Sequence, residues 1–437
     1  MRHVPIFDAH QVTLNGGASY REELFMLFER AVKLAAPGDA LTARARGRQL
    51  GILFFRHDWS GVVEVLVAGQ RHQIDLYAPE PTNWVFETPL QADEGVTITV
   101  RVLAGCHPSS HGNECWIQSL YVADHATHEI PDLIRQHVEE NPLTAVALNQ
   151  LTDTFKWFDP DWLAAMRALN CSWAYSPPDF VHRKAWEWTQ CIFGLDWLGA
   201  FRPTNRALGV GVGWEPLSYF FSNYLEEVVA TDLYPTEGQW ATDDAREGNP
   251  KILDDPDQFA PFAYRKERLK FLRMDGKVLA FPDASFDVVW SCSSIEHFGK
   301  HAGAAQSMRE IERVLKPGGV VAMITEYVLP DPVTGAHDRF HPEYFNLRCL
   351  YESLLAPVPG LRLVQHLDLS LPEYYVRRAC KLPEEAGAPH SGSSKPHVVL
   401  RSQGNALHTS IAMFFRKTGS APPSPGVRRF TASSPND

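Results

Sequence analysis

Apolar strands alternate with amphipathic helices from about residue 204 to residue 418. Such an alternation predicts a mostly parallel sheet covered by helices on both faces, because parallel strands need a crossover connection. The helix before the fifth expected strand carries an apolar stripe from Ala304 to Leu315 and is expected to stop at the Pro-Gly-Gly sequence 317–319. The expected strands are Ala207–Val210, Val228–Asp232, Leu269–Arg273, Phe286–Ser291, Val320–Thr325, Arg362–Leu367 and Thr409–Arg416.

The first 125 residues have a different pattern. Residues Val96 to Val102 alternate strictly between apolar and polar, which is typical of a strand with one buried face and one solvated face. Several such segments separated by turn residues predict an antiparallel β-sandwich, and residues 19–36 before them have helical spacing. The expected strands are Gly51–Phe55, Val62–Val67, His72–Leu76, Val96–Leu103 and Trp116–Val122.

These patterns divide the chain into four parts. Residues 1–125 form an accessory β domain that is expected to fold separately, and residues 201–418 form the α/β domain. Residues 126–200 are helical and rich in tryptophan, which indicates a connector packed on the next domain or, alternatively, an aromatic ligand box. Residues 419–437 contain several Pro and Ser and are expected to be disordered.

Charge and composition exclude several classes of protein. The net charge of −11 and the lack of a long basic run argue against a nucleic-acid binder. No apolar stretch approaches the roughly 18 residues of a membrane span, and no apolar secretory segment follows Met1. The seven Cys are scattered without a C-x-x-C pair, which favours a reduced, cytoplasmic compartment over a zinc site.

A glycine-rich loop follows the first strand of the α/β domain. Gly209, Gly211 and Gly213 lack Cβ, so a ligand can lie against the backbone, and the following helix offers free N–H groups. The spacing differs from the G-x-G-x-x-G of dinucleotide sites, and a simple tight turn is the alternative. Asp232 ends the next strand, where a carboxylate can accept two hydrogen bonds from ribose hydroxyls.

A third segment carries a family resemblance. Asp275 can accept a hydrogen bond from an adenine amino group while Met274 packs on the base. Residues 275–289 resemble a phrase of the class I S-adenosylmethionine methyltransferases, in particular the methyltransferase type 11 group, with Ala280 where Pro is usual. The loop after strand four, the turn before strand five and the closing strand are also similar to this family, at 291–298, 313–319 and 411–417.

The resemblance covers residues 200–418 and implies a fold and a cofactor. The implied fold is α/β: a Rossmann-like seven-stranded methyltransferase domain preceded by the antiparallel β-sandwich domain and the helical connector. Ala207 stands where the family often has an acid, which removes one contact, and the long stretch 233–269 is expected to form a lid or substrate wall. The residues expected to hold S-adenosylmethionine are Gly209, Gly211, Gly213, Asp232, Leu233, Met274, Asp275, Gly276 and Ser291.

Methyl transfer to a hydroxyl needs alignment and usually a base. His297 lies just past strand four and is the candidate base, with packing or a helix cap as its alternative role. Glu296 and His341 are further candidates, and the His-Asp-x-x-His sequence 337–341 is expected to form a loop or substrate wall rather than a metal site.

The expected function is methylation of an oxygen of a saccharide or other small-molecule acceptor. Aromatic residues near turns of the first domain, including Trp59, Tyr77 and Trp84, favour a saccharide by analogy with other sandwiches. The alternative is a non-catalytic cofactor- or glycan-binding accessory protein of polysaccharide biosynthesis. The expected partner is a small molecule or glycan, with no nucleic acid and no membrane span, and the acceptor atom and oligomeric state stay open.

Overall fold

The protein, described by a computed structural model, contains two large sheets, one in each half of the chain. Among the described residues, no helix is both long enough and apolar enough to cross a membrane. The structure describes residues 2–8, 10–21, 30–153, 156, 159–169, 175–176, 180–234, 249–330, 343–377, 379–381, 397–401, 406–419 and 428–431.

The first sheet is antiparallel and has the strand order β3-β4-β9-β5-β8-β6-β7, while β1 pairs with β9 and β2 with β5. The five strands expected from the sequence overlap β5 to β9 to within one residue at their C-terminal ends where they extend past them, so the antiparallel β-rich domain is confirmed. The nine strands are β1 Arg2–Val4, β2 Val12–Asn15, β3 Ser19–Arg21, β4 Ala31–Leu34, β5 Ala40–Arg56, β6 Val62–Val67, β7 Gln70–Asp75, β8 Thr82–Val102 and β9 Cys115–Ala123.

Two long strands of the first domain, β5 and β8, pair with each other along their whole length. Their register shifts on both sides of Gly47, and the residues of β5 that face the core change there from odd to even positions. A bulge has this effect because one extra residue reverses which face the following side chains occupy. Leu41 and Leu50 therefore both enter one core.

Where the structure describes residues 19–36, it shows strands instead of the expected helical spacing. Ser19–Arg21 and Ala31–Leu34 are strands, and Leu24 and Leu27 lie outside the described residues. Leu34 is buried and pairs with Cys115 of β9, so cross-strand pairing decides the conformation here. Local spacing of apolar residues is a weak signal when a sheet edge offers hydrogen bonds.

The connector is helical as expected, with short strands between its helices. Trp162 and Trp186 are fully buried in the core of the second domain, which supports packing and argues against an aromatic box, while Trp157 and Trp173 lie outside the described residues. Its elements are α1 Ile130–Gln136, β10 Gln150–Leu151, α2 Pro160–Ala168, β11 Tyr175–Ser176, β12 Phe180–Val181 and α3 Arg183–Trp197, preceded by a 3₁₀ turn at Thr127–Glu129.

The second domain has the expected alternation of strands and helices. Short 3₁₀ turns lie at Pro250–Leu253, Pro256–Phe259, Lys266–Arg268 and Ile295–His297, and α6 continues as a π-helical turn at Tyr351–Leu355. The strands and helices are β13 Arg206–Val210, α4 Pro216–Ser222, β14 Glu227–Asp232, β15 Leu269–Arg273, β16 Phe286–Cys292, α5 Lys300–Val314, β17 Leu315–Val328, α6 Leu347–Leu350, β18 Leu361–Leu363, α7 Glu373–Arg377, β19 Cys380–Lys381, β20 Leu400–Arg401 and β21 Leu407–Lys417.

The seven expected strands are present in the second sheet. Five are parallel, in the order β15-β14-β13-β16-β17, and β21 follows antiparallel to β17. β18, β10 and β20 pair with different stretches of β21. The Rossmann-like α/β fold is thus confirmed, with two local differences: the sixth strand is only Leu361–Leu363, and α5 ends at Val314, before Pro317.

Part of the C-terminal segment differs from the expected disorder. The side chain of Phe430 is buried and packs edge-on against Phe201 at 5.6 Å between ring centroids. The buried carboxylate of Asp196, near the end of α3, accepts backbone N–H bonds from Arg429 and Phe430. Residues 428–431 therefore pack against the connector, because Phe201 provides an aromatic contact and Asp196 provides a buried hydrogen-bond acceptor.

A buried charge joins the two domains. Arg348 of α6 is 3% exposed and reaches Glu87 of β8 at 3.2 Å, and its guanidinium also donates to the carbonyl of His125 at 2.8 Å. The hydroxyl of Tyr121 donates to the same Glu87 carboxylate at 2.7 Å. Leu53 belongs to the same buried cluster as the core of the second domain. Separate folding of residues 1–125 stays a prediction, and a truncated chain would expose this junction.

We expect Arg348→Ala to destabilise the protein by about 3–5 kcal/mol, because it leaves the Glu87 carboxylate buried without its cation. The measurement is the urea midpoint of the second-domain transition. Arg377→Ala is the matched control, since its pair with Glu373 is exposed and contributes about 0–1 kcal/mol. Equal midpoints for the two variants would show that the junction contributes no more than a surface pair.

Candidate functional site

The glycine-rich loop closes on the end of β14 through its backbone. Gly211 and Gly213 follow β13 with φ of +70° and +48°, a region that favours glycine. The N–H of Gly213 donates to the Asp232 carboxylate at 2.9 Å, and the hydroxyl of Tyr234 donates to the Gly213 carbonyl at 3.0 Å. The loop and the second strand are therefore fixed to each other before any ligand is considered.

The space at two of these glycines is filled by the protein itself. A Cβ on Gly209 would come within 2.4 Å of the Trp290 ring, and one on Gly211 within 2.6 Å of the Phe298 ring. The expectation that the missing Cβ atoms make room for a ligand is therefore corrected at Gly209 and Gly211. Close packing against aromatic rings requires glycine there, since real Cβ contacts are longer than this.

Asp232 has the environment of a carboxylate that can receive a polar ligand. Burial raises its pKa, and the backbone N–H groups of Gly213, Tyr234 and Leu233 act in the opposite direction. The neighbouring side chain of Leu233 is 50% exposed, an unusual position for a large apolar group. An acceptor beside an uncovered apolar surface suits a ribose that carries a flat base.

The residues after β15 lie beside the same loop. The N–H of Met274 donates to the Asp232 carbonyl at 2.8 Å, which ties the two strand ends together. The Asp275 carboxylate accepts the N–H of Lys277 at 2.9 Å and remains 39% exposed. A Cβ on Gly276 would come within 2.6 Å of Phe298, so this ring is wedged between Gly276 and Gly211.

The carboxyl end of β16 lies beside the carboxyl ends of the strands described above. Ser291 is fully buried within the strand, and its hydroxyl has no hydrogen-bond partner among the described residues. Two residues past the strand, the Ser294 hydroxyl donates to the carbonyl of Gly211. The nine residues expected to bind the cofactor thus lie at the ends of four neighbouring strands, β13 to β16, or just beyond them. Their role in binding stays a prediction.

The candidate base lies on the 3₁₀ turn after β16. His297 Nδ1 is 3.2 Å from a carboxylate oxygen of Glu343, and the imidazole is 28% exposed. Burial acts to lower the pKa of His297, but the hydrogen bond with Glu343 and the charges of Glu296, Glu343 and Glu326 outweigh it and raise the pKa above 6.5. Such an imidazole accepts a proton readily once it is neutral.

Glu296 has a different environment from its neighbour. Its side chain is fully buried, and one carboxylate oxygen accepts the hydroxyl of Thr325 at 2.8 Å. His337, Asp338 and His341, the other candidates, lie outside the described residues. Within the part of the chain that is described, no group of three or more His, Cys, Asp or Glu side chains is arranged to hold a metal ion.

A buried ion cluster beside this turn was not predicted from the sequence. Arg183, at the start of α3, donates to Glu187 at 2.7 Å and also bonds Glu326 of β17. Lys184 pairs with the second oxygen of Glu187 at 2.9 Å, and the Ser293 hydroxyl donates to that oxygen at the same distance. The available signal was an arginine and a glutamate four residues apart in a tryptophan-rich helix.

The two carboxylates of this cluster differ in how readily they ionise. Burial alone would raise the pKa of Glu187, but Lys184 and Arg183 lower it to about 2. For Glu326 burial prevails and raises the pKa, in spite of Arg183 and with help from the charges of Glu187 and Glu296. The connector helix is thus fixed to the ends of β16 and β17 by charges that are removed from water.

The stretch expected to form a lid has an internal role where it is described. Tyr234 is fully buried under the glycine loop, and Phe262 packs partly buried against the core. Trp240 lies outside the described residues. Tyr234 and Phe262 therefore support the domain.

The comparison with known proteins identifies the same part of the chain, the strands that carry the candidate site. Residues 207–323 match the family described as methyltransferase domain. The chain is 34% identical over 146 residues to 2-methyl-6-phytyl-1,4-hydroquinone methyltransferase of Synechocystis sp., covering 33% of this chain and 37% of the relative. It is 38% identical over 66 residues to 27-O-demethylrifamycin SV methyltransferase of Amycolatopsis mediterranei, covering 15% and 23%. The chain thus spans well under half the length of these curated relatives.

The crystal structure of YcgJ from Bacillus subtilis is similar with a TM-score of 0.33 and 17% identity, covering 53% of this chain and 99% of that one. Residues 207–323 form a class I methyltransferase domain, and its cofactor is S-adenosylmethionine. The residues present fit this group: Asp232 offers acceptors for the ribose, Leu233 and Met274 an apolar surface for the base, and Asp275 an acceptor for its amino group.

We expect Asp232→Ala to weaken the binding of S-adenosylhomocysteine at least about 100-fold. Two hydrogen bonds to a charged acceptor contribute roughly 3–6 kcal/mol before competition from water. The measurement is titration calorimetry on the full chain. Asp283→Ala, which alters a carboxylate that is 78% exposed, is the control and should bind normally. An affinity of Asp232→Ala within about threefold of wild type would overturn the assignment.

Proposed function

We propose that the protein transfers the methyl group of S-adenosylmethionine to a hydroxyl of a small-molecule acceptor, with a saccharide as the favoured class. The observation that carries this proposal is His297, whose imidazole stands beside Glu343 and close to the carboxylates of Glu296 and Glu326. Ligands of open α/β sheets bind outside the carboxyl ends of the strands, and His297 follows that end of β16. A relative named for a 27-O-demethylated compound agrees with an oxygen acceptor.

The protein's part in such a reaction is alignment and proton transfer. Bound S-adenosylmethionine supplies a methyl group that its sulfonium already activates. Neutral His297 can take the proton of an acceptor hydroxyl at a ring nitrogen, and Glu343 stabilises the imidazolium that results. The buried carboxylate of Glu296 adds to this stabilisation because the positive charge forms close to it.

The first domain supports a saccharide acceptor through one side chain. Trp59 is 52% exposed, and one face of its ring covers the backbone of Gly112, where a Cβ would come within 2.8 Å. Trp84, by contrast, stacks on Phe54 at 6.3 Å and is packed against the core. A rigid exposed indole suits stacking on a sugar ring, whereas a packed one does not.

We expect His297→Ala to lower kcat at least about tenfold and to leave the affinity for S-adenosylhomocysteine nearly unchanged, because general-base catalysis contributes about 10²–10⁴-fold. In wild type the rate should rise with pH through the raised pKa of His297, since only the neutral imidazole accepts a proton. The variant should lose this acidic limb.

Glu343→Gln is the matched variant, because it keeps the side chain's size and removes the charge that raises the pKa of His297. The acidic limb, and the His297 titration followed by NMR without any acceptor, should both move to lower pH. Full turnover of His297→Ala would contradict the proposed role. Loss of cofactor binding would place the residue in the cofactor pocket instead.

A further inference from the structure

The first domain carries an exposed indole in the loop between β5 and β6. Among its described residues, Trp59 and Tyr20 are the large apolar side chains that remain exposed, at 52% and 41%. Tyr20 lies on the edge strand β3, and its ring is 5.9 Å from that of Phe7 between centroids. A single exposed apolar side chain is ordinary on a protein surface. The surroundings of Trp59 are what distinguish it.

Backbone hydrogen bonds hold Trp59 in place from both sides. Its N–H donates to Nδ1 of His57 at 3.2 Å, and its carbonyl accepts the N–H of Glu114 at 3.2 Å. The carbonyl of the preceding Asp58 accepts the N–H of His111 at 2.8 Å. Glu114 and His111 belong to the loop between β8 and β9, so two loops fix the backbone around this indole. A side chain that is positioned before its ligand arrives loses less conformational entropy on binding.

A second aromatic pair contacts the same loop. The rings of Tyr77 and His107 are parallel within 4° and stack at 4.2 Å between centroids. Four residues further on, the ring of His111 is 6.1 Å from that of Trp59. The N–H of Ser110 donates to the carbonyl of His107 at 2.8 Å, which closes a turn and keeps the two histidines near each other. Trp59 and Tyr77 therefore lie at the same end of the first domain.

Asp58 places an available hydrogen-bond acceptor beside the indole. Its side chain is 47% exposed, and its carboxylate is 3.9 Å from Nδ1 of His57, beyond hydrogen-bond distance. That nitrogen already accepts the N–H of Trp59. Burial lowers the pKa of His57, although the charges of Glu114 and Asp58 act to raise it, so the imidazole is neutral at pH 7. The carboxylate of Asp58 therefore receives no proton and no charge from His57 and can accept a hydroxyl from a ligand.

These groups suit a saccharide better than a protein or a membrane. A stable protein partner buries roughly 1,000 Å² or more around an apolar centre, and Trp59 is the one large apolar side chain exposed in the described residues of these loops. Anionic lipids attract Lys and Arg, whereas the exposed charges of Asp58 and Asp75 are negative. The half-buried Arg56 donates to the carbonyl of Tyr77 at 2.8 Å. A sugar presents both a C–H face for an aromatic ring and hydroxyl donors for a carboxylate.

We propose that this end of the first domain binds a neutral saccharide, with Trp59 stacking on a sugar ring and Asp58 accepting a hydrogen bond from one of its hydroxyls. The stack of Tyr77 and His107 offers a further ring surface beside the same loop. This inference rests on the proposed function for its choice of a saccharide and deepens it, because it gives the acceptor a holding site apart from the methyl-transfer site. A chain of several sugars held here has a raised effective concentration at the second domain.

The experiment is saturation-transfer NMR on the full chain without S-adenosylhomocysteine. The probes are three neutral oligosaccharides, cellotetraose, maltotetraose and mannotetraose, and the anionic tetragalacturonate. We expect at least one neutral probe to bind more tightly than the anionic one. Trp59→Ala should weaken its binding at least about tenfold, and Asp58→Asn at least about threefold. Tyr20→Ala is the matched control, since it removes the other exposed aromatic side chain of this domain, and it should bind normally.

Thermal melting and calorimetry on the same samples separate the outcomes. Trp59→Ala and Asp58→Asn should melt near wild type and keep its affinity for S-adenosylhomocysteine. Binding of none of the neutral probes, or tighter binding of the anionic one, would overturn this inference. So would a neutral probe that Trp59→Ala retains and His297→Ala loses, because that probe sits in the second domain. Failure of wild type to bind S-adenosylhomocysteine overturns the proposed function instead, and the Trp59 result then stands by itself.

Discussion

Arg183 is a cation removed from water, and much of the candidate site follows from the need to neutralise it. A buried guanidinium is tolerated only when carboxylates and further acceptors surround it. Glu187 from the same helix, Glu326 from β17 and the Ser410 hydroxyl from β21 meet that need. One charge thus fixes α3 against two strands, and the turn after β16 joins the cluster through Ser293. The connector is in this sense part of the second domain.

A single aromatic ring fixes the glycine loop in a similar way. Phe298 fills the space that a Cβ would take at both Gly211 and Gly276, so one ring holds the loops after β13 and β15 at a fixed spacing. A larger residue at either position would have to displace this ring, which would lower the stability of the protein and change the spacing of the two loops. The packing of the core requires glycine at both positions, and the same packing determines the shape of the candidate ligand site.

The parts of the fold that were predictable are those with short-range signals. Strand β15 was expected at its observed bounds, and Asp232 was expected at the end of β14, because a run of apolar residues and its terminating acid are local in sequence. The pair of Arg183 and Glu326 was not predictable, because the two residues are 143 positions apart and no spacing rule links them. Leu34 and Phe430 were misjudged for the same reason, since their partners Cys115 and Phe201 lie far away in the chain.

The position of β21 in the second sheet has a consequence for synthesis. This strand pairs with β17, β18, β10 and β20, yet it ends at Lys417, almost 300 residues after the first sheet is complete at Ala123. At roughly 5–20 residues per second, the ribosome needs about 15–60 s to make that stretch. In the last part of this time, between the completion of β17 at Val328 and the completion of β21 at Lys417, β17 has an open edge. The N-terminal domain emerges first and can fold early, so the nascent chain carries a finished sheet ahead of an incomplete one.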